Sequence, residues 1–225
     1  MKIENTDSNS PYFKAIQQEY AQIDRSWLQL HYKISVGLVL FSFFIELVLG
    51  IFLLHSPMVT TTPLRFLWKF LIVPSGINFL CIAVDSLVMK SDRIPQIRKI
   101  YLISLIFVFI GFILFAVHIA FTSTYFIFTI AIVLTTIYAN YYLTGITAAA
   151  SIASVIISEL FIKWDADKVT VFQSAHQLGD FLISLSVSLA FSIACMIVIE
   201  FERRKNSANI QKEIKRYQLQ ERILV

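Results

Sequence analysis

The sequence predicts an all-α membrane protein: a polytopic bundle of six transmembrane helices, with a cytoplasmic amphipathic helix before it and a long exit helix after it. Of its 225 residues, 57% are hydrophobic and only 15% are charged. A water-soluble domain of this length could not bury so much apolar surface. The apolar residues also fall in runs of about 20, the number of helical residues that cross a bilayer core. The same composition excludes nucleic-acid binders and water-soluble enzymes.

Residues 1–33 are expected to form the cytoplasmic amphipathic helix. Apolar residues recur at helical steps of three and four, and the pattern begins just after Ser10 and Pro11, a typical helix start. The stripe consists of Phe13, Ile16, Tyr20, Ile23, Trp27 and Leu30. We expect it to lie flat on the inner leaflet as an anchor, because it is shorter than three heptads and contains a tryptophan suited to the interface. A docking or coiled-coil role is the alternative.

Residues 34–202 are expected to hold the six spans. The apolar runs that predict them are 34–54, 66–89, 100–120, 125–143, 146–162 and 179–201. The fifth run is the weakest, because it is rich in Ala and Ser and carries Glu159. Counting it as a span places only four of the 19 Lys and Arg residues on the outer side, namely Arg65, Lys69, Lys163 and Lys168. Since basic residues favour the inner side, we expect both termini in the cytoplasm.

Residues 203–225 are expected to continue the sixth span as a cytoplasmic signalling helix. No Gly or Pro follows Gly179, so nothing in the sequence interrupts a helix that leaves the membrane. An apolar seam with coiled-coil spacing runs along it, formed by Ile210, Ile214, Tyr217 and Leu224. Glu221 weakens this seam, so we expect a homodimer that is held weakly through the helix. The chain reaches Val225 without a helix stop signal, which predicts that the helix leads into a cytoplasmic output domain.

This architecture resembles a known family. It is similar to the membrane sensor half of bacterial GGDEF-type diguanylate cyclases through its six spans, its cytoplasmic N-terminal helix and the exit-helix sequence Gln211-Lys-Glu-Ile-Lys-Arg-Tyr-Gln-Leu-Gln-Glu-Arg-Ile-Leu-Val225. The resemblance implies a bacterial-type inner membrane as the location. It also implies a homodimer in which two exit helices bring two cyclase domains together, so that a signal controls the synthesis of cyclic di-GMP from GTP. The GGDEF motif does not occur in these residues, so the resemblance implies that catalysis belongs to residues beyond Val225.

No catalytic residue and no cofactor are expected in this chain. The sequence contains no GxSxG, HExxH, P-loop or CxxC motif on which a nucleophile, zinc or phosphate site could be built. The candidates that remain are ionisable groups at membrane depth, where a charge is costly and often functional.

Glu46 in the first span is the first candidate for ligand binding or sensing. A carboxylate near the bilayer centre must face the bundle interior, be protonated or find a partner, and Asn78 in the second span is a candidate neighbour. A ligand or proton role is one reading of Glu46. A hydrogen-bonded acid that only fixes helix packing is the other, and the sequence leaves both open.

Two further polar residues are expected to be structural. Asp85, on the second span towards the cytoplasm, is expected to pair with Lys90 or Arg93 at the membrane edge. Asn140 is expected to hydrogen-bond between helices.

A second group of candidates lies on the outer side, formed by His118, Glu159, His176 and Asp180. We expect these four residues to converge around the mouth of a polar pocket. Imidazole and carboxylate groups at such density can bind a divalent cation or respond to pH. Their spacing is not a metal motif, however, and simple pairing at helix ends is the alternative, so the sequence leaves a metal undecided.

Two functions compete. The first is a membrane-embedded sensory and signal-transmitting domain, in which an unknown small ligand or the state of the lipid biases the bundle and controls an output domain. The second is the small substrate-binding component of a vitamin-type uptake transporter, which also accounts for the outer polar residues. The charged exit helix and the regular N-terminal helix favour the sensor. The expected partners are membrane lipid, a second copy of the chain and the small ligand, with no nucleic acid.

Overall fold

A computed structural model describes residues 11–53, 62–118 and 126–164, and then residues 191–193, 195–197, 199, 200, 202, 204, 206, 209–213, 216 and 219. All regular secondary structure in these residues is helical, which confirms the all-α prediction for the described part of the chain. In chain order the helices are α1 (Pro11–Leu53), α2 (Pro63–Leu67), α3 (Val73–Lys90), α4 (Gln96–His118), α5 (Phe126–Thr136) and α6 (Tyr141–Trp164).

Four helical stretches are long and apolar enough to cross a membrane, namely Tyr20–Val48, Pro63–Lys90, Gln96–Ala116 and Tyr141–Ser158. They correspond to the first, second, third and fifth predicted spans, so the expected membrane-helix character is confirmed. The count of six spans and the cytoplasmic location of both termini stay predictions.

α1 joins the predicted N-terminal helix and the first span into one helix of 43 residues. It begins at Pro11, a residue that the first helical turn tolerates because the N–H groups there have no helical partner. No break occurs at the expected boundary between residues 33 and 34. Trp27 packs into the bundle, where its indole nitrogen donates a hydrogen bond to the Leu134 carbonyl oxygen at 3.1 Å. α1 therefore differs from the flat anchor that its apolar stripe predicts.

α2 and α3 are joined by a π-helical turn, Trp68–Ile72, into one helical stretch. The Val73 N–H donates to the Trp68 carbonyl oxygen, which is five residues back instead of the usual four. Pro74 accounts for the wide turn, because its ring has no N–H and clashes with the carbonyl four residues earlier in a regular helix. After this turn, α3 packs against α1 and α4.

α4 lies at the centre of the bundle and packs against α1, α3, α5 and α6. It is apolar around its whole circumference, as expected for a helix that is surrounded by others. Its residues Ile103, Phe107, Ile110 and Leu114 are buried, and each belongs to one of the main core clusters. The core of the described bundle is therefore built around α4.

The predicted fourth span, 125–143, is divided by a turn. α5 ends at Thr136 after 11 residues, and α6 begins at Tyr141. Between them Ala139 takes a positive φ of 47°. Asn140 caps α6, because its side-chain oxygen accepts a hydrogen bond from the Leu143 N–H at 3.2 Å. The boundary predicted for this span is therefore wrong, and the reason is that a capped turn without Gly or Pro replaces a continuous helix.

α6 contains the predicted fifth span, the weakest of the six by hydropathy. The hydroxyl groups of Thr147, Ser151 and Ser154 each donate to the carbonyl oxygen four residues earlier, at 2.9, 2.8 and 2.7 Å. These hydrogen bonds satisfy the hydroxyls within the helix itself. A helix of 24 residues thus forms here despite its polar composition.

The described residues between 191 and 219 are all helical. Phe191 and Cys195 pack with Ile132 of α5 and Ala148 of α6, so the first of these residues belong to the bundle. Farther along, exposed ion pairs with helical spacing join Glu200 to Arg204 at 2.9 Å and Glu213 to Arg216 at 3.4 Å. The side chains near residue 191 are thus packed in the bundle, whereas the ion pairs between residues 200 and 216 are exposed.

Candidate functional site

Glu46 is buried where α1 meets α3, as predicted for an acid that faces the bundle interior. The Ser75 hydroxyl donates a hydrogen bond to its Oε2 at 2.8 Å. Ser75 follows directly after Pro74, the residue that widens the preceding turn. A carboxyl group held in this way inside an apolar bundle is typical of sensing and binding sites in membranes.

Asn78 lies one helical turn after Ser75 on the buried face of α3. Its Oδ1 has no hydrogen-bond partner among the described residues. Buried carbonyl oxygens are normally paired, so this atom is available to a donor from a ligand or a buried water. The structure therefore places Asn78 one turn from the residue that binds Glu46.

The outer group of candidates is described only in part. His118 is the last residue of α4 and Glu159 belongs to α6, and these two helices pack against each other. His176 and Asp180 lie outside the described residues, so the convergence of the four side chains stays a prediction. Within the described ranges, no group of three His, Cys, Asp or Glu residues could hold a metal ion.

The predicted dimer seam is also described only at one position. Ile210 is helical and half-buried, whereas Ile214, Tyr217 and Leu224 lie outside the described residues. Pairing of this seam with a second copy of the chain stays a prediction.

A set of buried polar residues, of which the sequence analysis singled out only Asp85, lies in the half of the bundle near the start of α4. It consists of His31 on α1, Asp85 on α3, Ser104 on α4 and Thr144 on α6, and we call it the inner polar layer. Each of the four residues is at most 1% exposed. None of their side-chain nitrogen and oxygen atoms has a hydrogen-bond partner in the described structure.

A single apolar cluster places these four residues at one depth. Leu28, Val88, Ile100, Ile103 and Leu143 pack together at the end of the bundle where α4 begins. His31 follows Leu28 by three residues and Asp85 precedes Val88 by three, about 4.5 Å along each helix. Ser104 and Thr144 directly follow two members of the cluster, and the His31 ring lies edge-on against Phe107, with centroids 5.5 Å apart.

The predicted pairing of Asp85 at the membrane edge is wrong. Both carboxylate oxygens of Asp85 are buried without a hydrogen-bond partner among the described residues, whereas Lys90 and Arg93 are exposed. The physical reason is the face of α3 on which Asp85 lies. It shares this face with Ser75, Asn78 and Val88, which are all buried in the bundle.

Asn140, in contrast, bonds between helices as predicted. Its Nδ2 and the Tyr101 hydroxyl of α4 are 3.3 Å apart. The neighbouring Tyr138, in the turn before α6, is half-buried, and its hydroxyl has no partner among the described residues. Burial, and then the charge of Asp24, raises the pKa of the Tyr138 hydroxyl. The contact between Asn140 and Tyr101 therefore links the turn between α5 and α6 to α4.

His31 was missed because the sequence analysis followed another stripe of α1. The spacing of Leu28, His31, Ser35 and Val39 follows one helix face, and all four are buried. A continuous helix through residue 33 would have placed His31 on that buried face. The expected boundary after residue 33 placed it in the cytoplasm instead.

The described candidates are thus the Glu46–Ser75 pair with Asn78, and the inner polar layer. Both lie inside a bundle with membrane-helix character. Comparison with protein-family models, with curated proteins and with solved structures finds no match to this chain.

Proposed function

We propose that the chain is a membrane-embedded sensory and signal-transmitting domain. In this proposal a small ligand or the lipid state acts on polar groups inside the bundle, and continuous helices carry the change to the cytoplasm. The cytoplasmic location of both ends is part of the proposal and is supported by the distribution of Lys and Arg residues. The bacterial inner membrane is also part of it and follows from the family resemblance.

The continuity of α1 is the observation that supports this function best. Glu46 bonds to Ser75 of α3 at 2.8 Å, and the same helix runs unbroken back to Pro11. The 35 residues between these points span about 50 Å at the rise of an α-helix. Without a break, a displacement at Glu46 is not absorbed before it reaches the N-terminal end.

The output is proposed to leave through the C-terminal helix. Its described residues begin with Phe191 and Cys195 packed on α5 and α6, and continue into exposed, charged turns. In the proposal, Ile210, Ile214, Tyr217 and Leu224 pair with a second copy of the chain. The output domain is proposed to be a diguanylate cyclase that makes cyclic di-GMP, as the family resemblance implies.

Disulfide cross-linking between two copies tests both parts of this proposal. Ile210→Cys is introduced after Cys81 and Cys195 are replaced by Ala, and membranes are oxidised with and without the further change Glu46→Gln. We expect a cross-linked dimer whose rate of formation changes several-fold with Glu46→Gln, because the neutral amide alters the bond to Ser75. Glu202→Gln, an exposed acid on the C-terminal helix, is the matched control and should have no effect.

The two outcomes against the proposal differ. If no dimer forms at Ile210→Cys, the paired exit helix is wrong. If a dimer forms but Glu46→Gln and Glu202→Gln behave alike, the bundle interior is not coupled to the exit helix. A strictly monomeric chain would favour the alternative, a small substrate-binding component of a vitamin-type uptake transporter.

A further inference from the structure

We propose that the inner polar layer is a proton-binding site, in which the Asp85 carboxylate takes a proton from a hydronium ion and His31 is the neutral base of the same layer. Asp85 lies ten residues beyond Ser75 on α3, about 15 Å along the helix, so this site is separate from Glu46. The inference does not depend on the signalling function proposed above.

The burial of Asp85 is the first step of the argument. Its side chain has 0% exposure, and neither oxygen accepts a hydrogen bond from any described residue. A buried carboxylate without donors or a positive partner is strongly disfavoured, whereas the protonated acid is neutral and adds a donor. A proton is therefore the simplest partner that removes the charge.

His31 supplies the complementary group. It is also 0% exposed, and both of its ring nitrogens have no hydrogen-bond partner among the described residues. Burial favours the neutral imidazole, which has one donor and one acceptor nitrogen. An acid and a base at one depth, each without another partner, can share a proton through water.

The hydroxyls of Ser104 and Thr144 make the layer suitable for buried water. Together with Asp85 and His31 they provide six side-chain polar atoms without partners in the described structure. A buried water makes about three hydrogen bonds, so these atoms suffice for about two waters between the four helices. Water in the layer would connect the carboxyl group with the imidazole.

Other titratable groups near α3 do not neutralise Asp85. On the stretches packed against it and on α3 itself, the titratable side chains that the structure describes are Tyr20, Asp24, Arg25, His31, Tyr32, Lys33, Glu46, Lys69, Cys81, Lys90, Arg98, Lys99 and Tyr101. None of them lies within hydrogen-bonding distance of Asp85. The Lys99 ammonium donates to the Met89 carbonyl oxygen at 2.9 Å, and Tyr101 contacts Asn140, so these two groups are directed elsewhere.

The chemistry of the layer favours a proton over a metal ion. Sodium and other hard cations prefer several oxygen ligands, and Asp85 is the only acid of the layer. A metal ion on Asp85 would leave His31 without a partner.

In the proposed step, a hydronium ion transfers its proton to one Asp85 oxygen. An O–H bond of the hydronium ion breaks, an O–H bond to Asp85 forms, and a water is released. The layer changes from one negative charge to neutral, and release of the proton reverses the step.

Infrared difference spectroscopy on the full chain in lipid nanodiscs tests this proposal. Protonated carboxylic acids have a C=O stretch that carboxylates lack. We expect this C=O band at neutral pH, and we expect it to disappear when the pH is raised. The band should be absent in Asp85→Asn. It should be unchanged in Asp92→Asn, because Asp92 is an exposed acid and serves as the matched control. His31→Gln should keep the band but move its pH midpoint by about one unit or more, since the basic group of the layer is replaced by a neutral amide.

Further measurements separate the other outcomes. Asp85→Glu keeps a carboxyl group, so it should restore a titrating band at a shifted frequency even if Asp85→Asn does not fold. The proposal is overturned if the neutral-pH band is missing in the unmodified chain, or if Asp85→Asn folds and keeps it. It is also overturned if sodium chloride at constant pH removes the band where choline chloride does not, because the site would then take a metal cation.

Discussion

At the scale of single residues, the energetics of this bundle depend on polar groups that have lost contact with water. The Ser75 hydroxyl and the Glu46 carboxyl group meet at 2.8 Å between two apolar helices. Because Glu46 has further contacts, losing this one hydrogen bond costs only its net contribution, about 0.5–1.5 kcal/mol. We therefore expect Ser75→Ala to lower the free energy of unfolding by about that amount, measured in mixed detergent with increasing SDS.

Ser26→Ala is the matched control for this substitution. Ser26 is exposed on α1, and changes at exposed positions usually alter stability by less than about 0.5 kcal/mol. Equal effects of the two substitutions would mean that the bond between Ser75 and Glu46 does not stabilise the fold.

The sequence could single out Glu46 and Asn78 as candidates, but not Ser75, the residue that bonds to Glu46. An acid in an apolar run is visible at once, because its presence there is costly. The identity of its partner, Ser75, depends on which face of α3 meets α1, and this face follows a π-helical turn that sequence periodicity does not show. His31 and Asp85 became recognisable as one layer only when α1, α3 and α4 were packed together.

At the scale of helices, the contact between α4 and α5 depends on one glycine. A Cβ atom at Gly111 would lie 2.8 Å from Cγ2 of Ile127, a β-branched residue with little freedom to move away. We expect Gly111→Ala to destabilise the bundle by about 1–3 kcal/mol through overpacking, measured by the same SDS unfolding.

Gly37→Ala provides the comparison, since a Cβ at Gly37 would meet nothing within 4 Å. Alanine is the better helix former, so this change should leave stability equal or raise it by up to about 1 kcal/mol. A similar loss for both substitutions would contradict a close contact at Gly111.

At the scale of the whole molecule, the orientation in the membrane gives a direct prediction. Single cysteines replace Thr62 and Asp92 in a chain whose Cys81 and Cys195 are changed to Ala. Both positions are exposed, and they flank the helical stretch Pro63–Lys90 at opposite ends. An impermeant thiol reagent added to intact cells should label position 62 only, and position 92 only after the cells are opened. Labelling of position 92 from outside would reverse the proposed orientation.

The long helices of the bundle could be predicted because their apolar runs match the thickness of a bilayer. The turn after Thr136 could not, since it contains no Gly or Pro and is held by contacts of Asn140 with Leu143 and Tyr101. The continuity of α1 was also missed, because an amphipathic stripe and an apolar run look like two elements even when one helix contains both. These differences come from tertiary contacts that local composition does not report.

The internal hydrogen bonds of α6 also have an evolutionary consequence. Because the hydroxyls of Thr147, Ser151 and Ser154 are satisfied by their own helix, their replacement by alanine removes a donor and orphans no other side chain. Related sequences should therefore drift freely between Ser, Thr and Ala at these sites. Thr144 and Ser158 are buried without such a bond, so purifying selection should keep a hydroxyl at these two sites if it binds water or another group. Sequence variation along this one helix would then separate the hydroxyls that serve packing from those that serve a site.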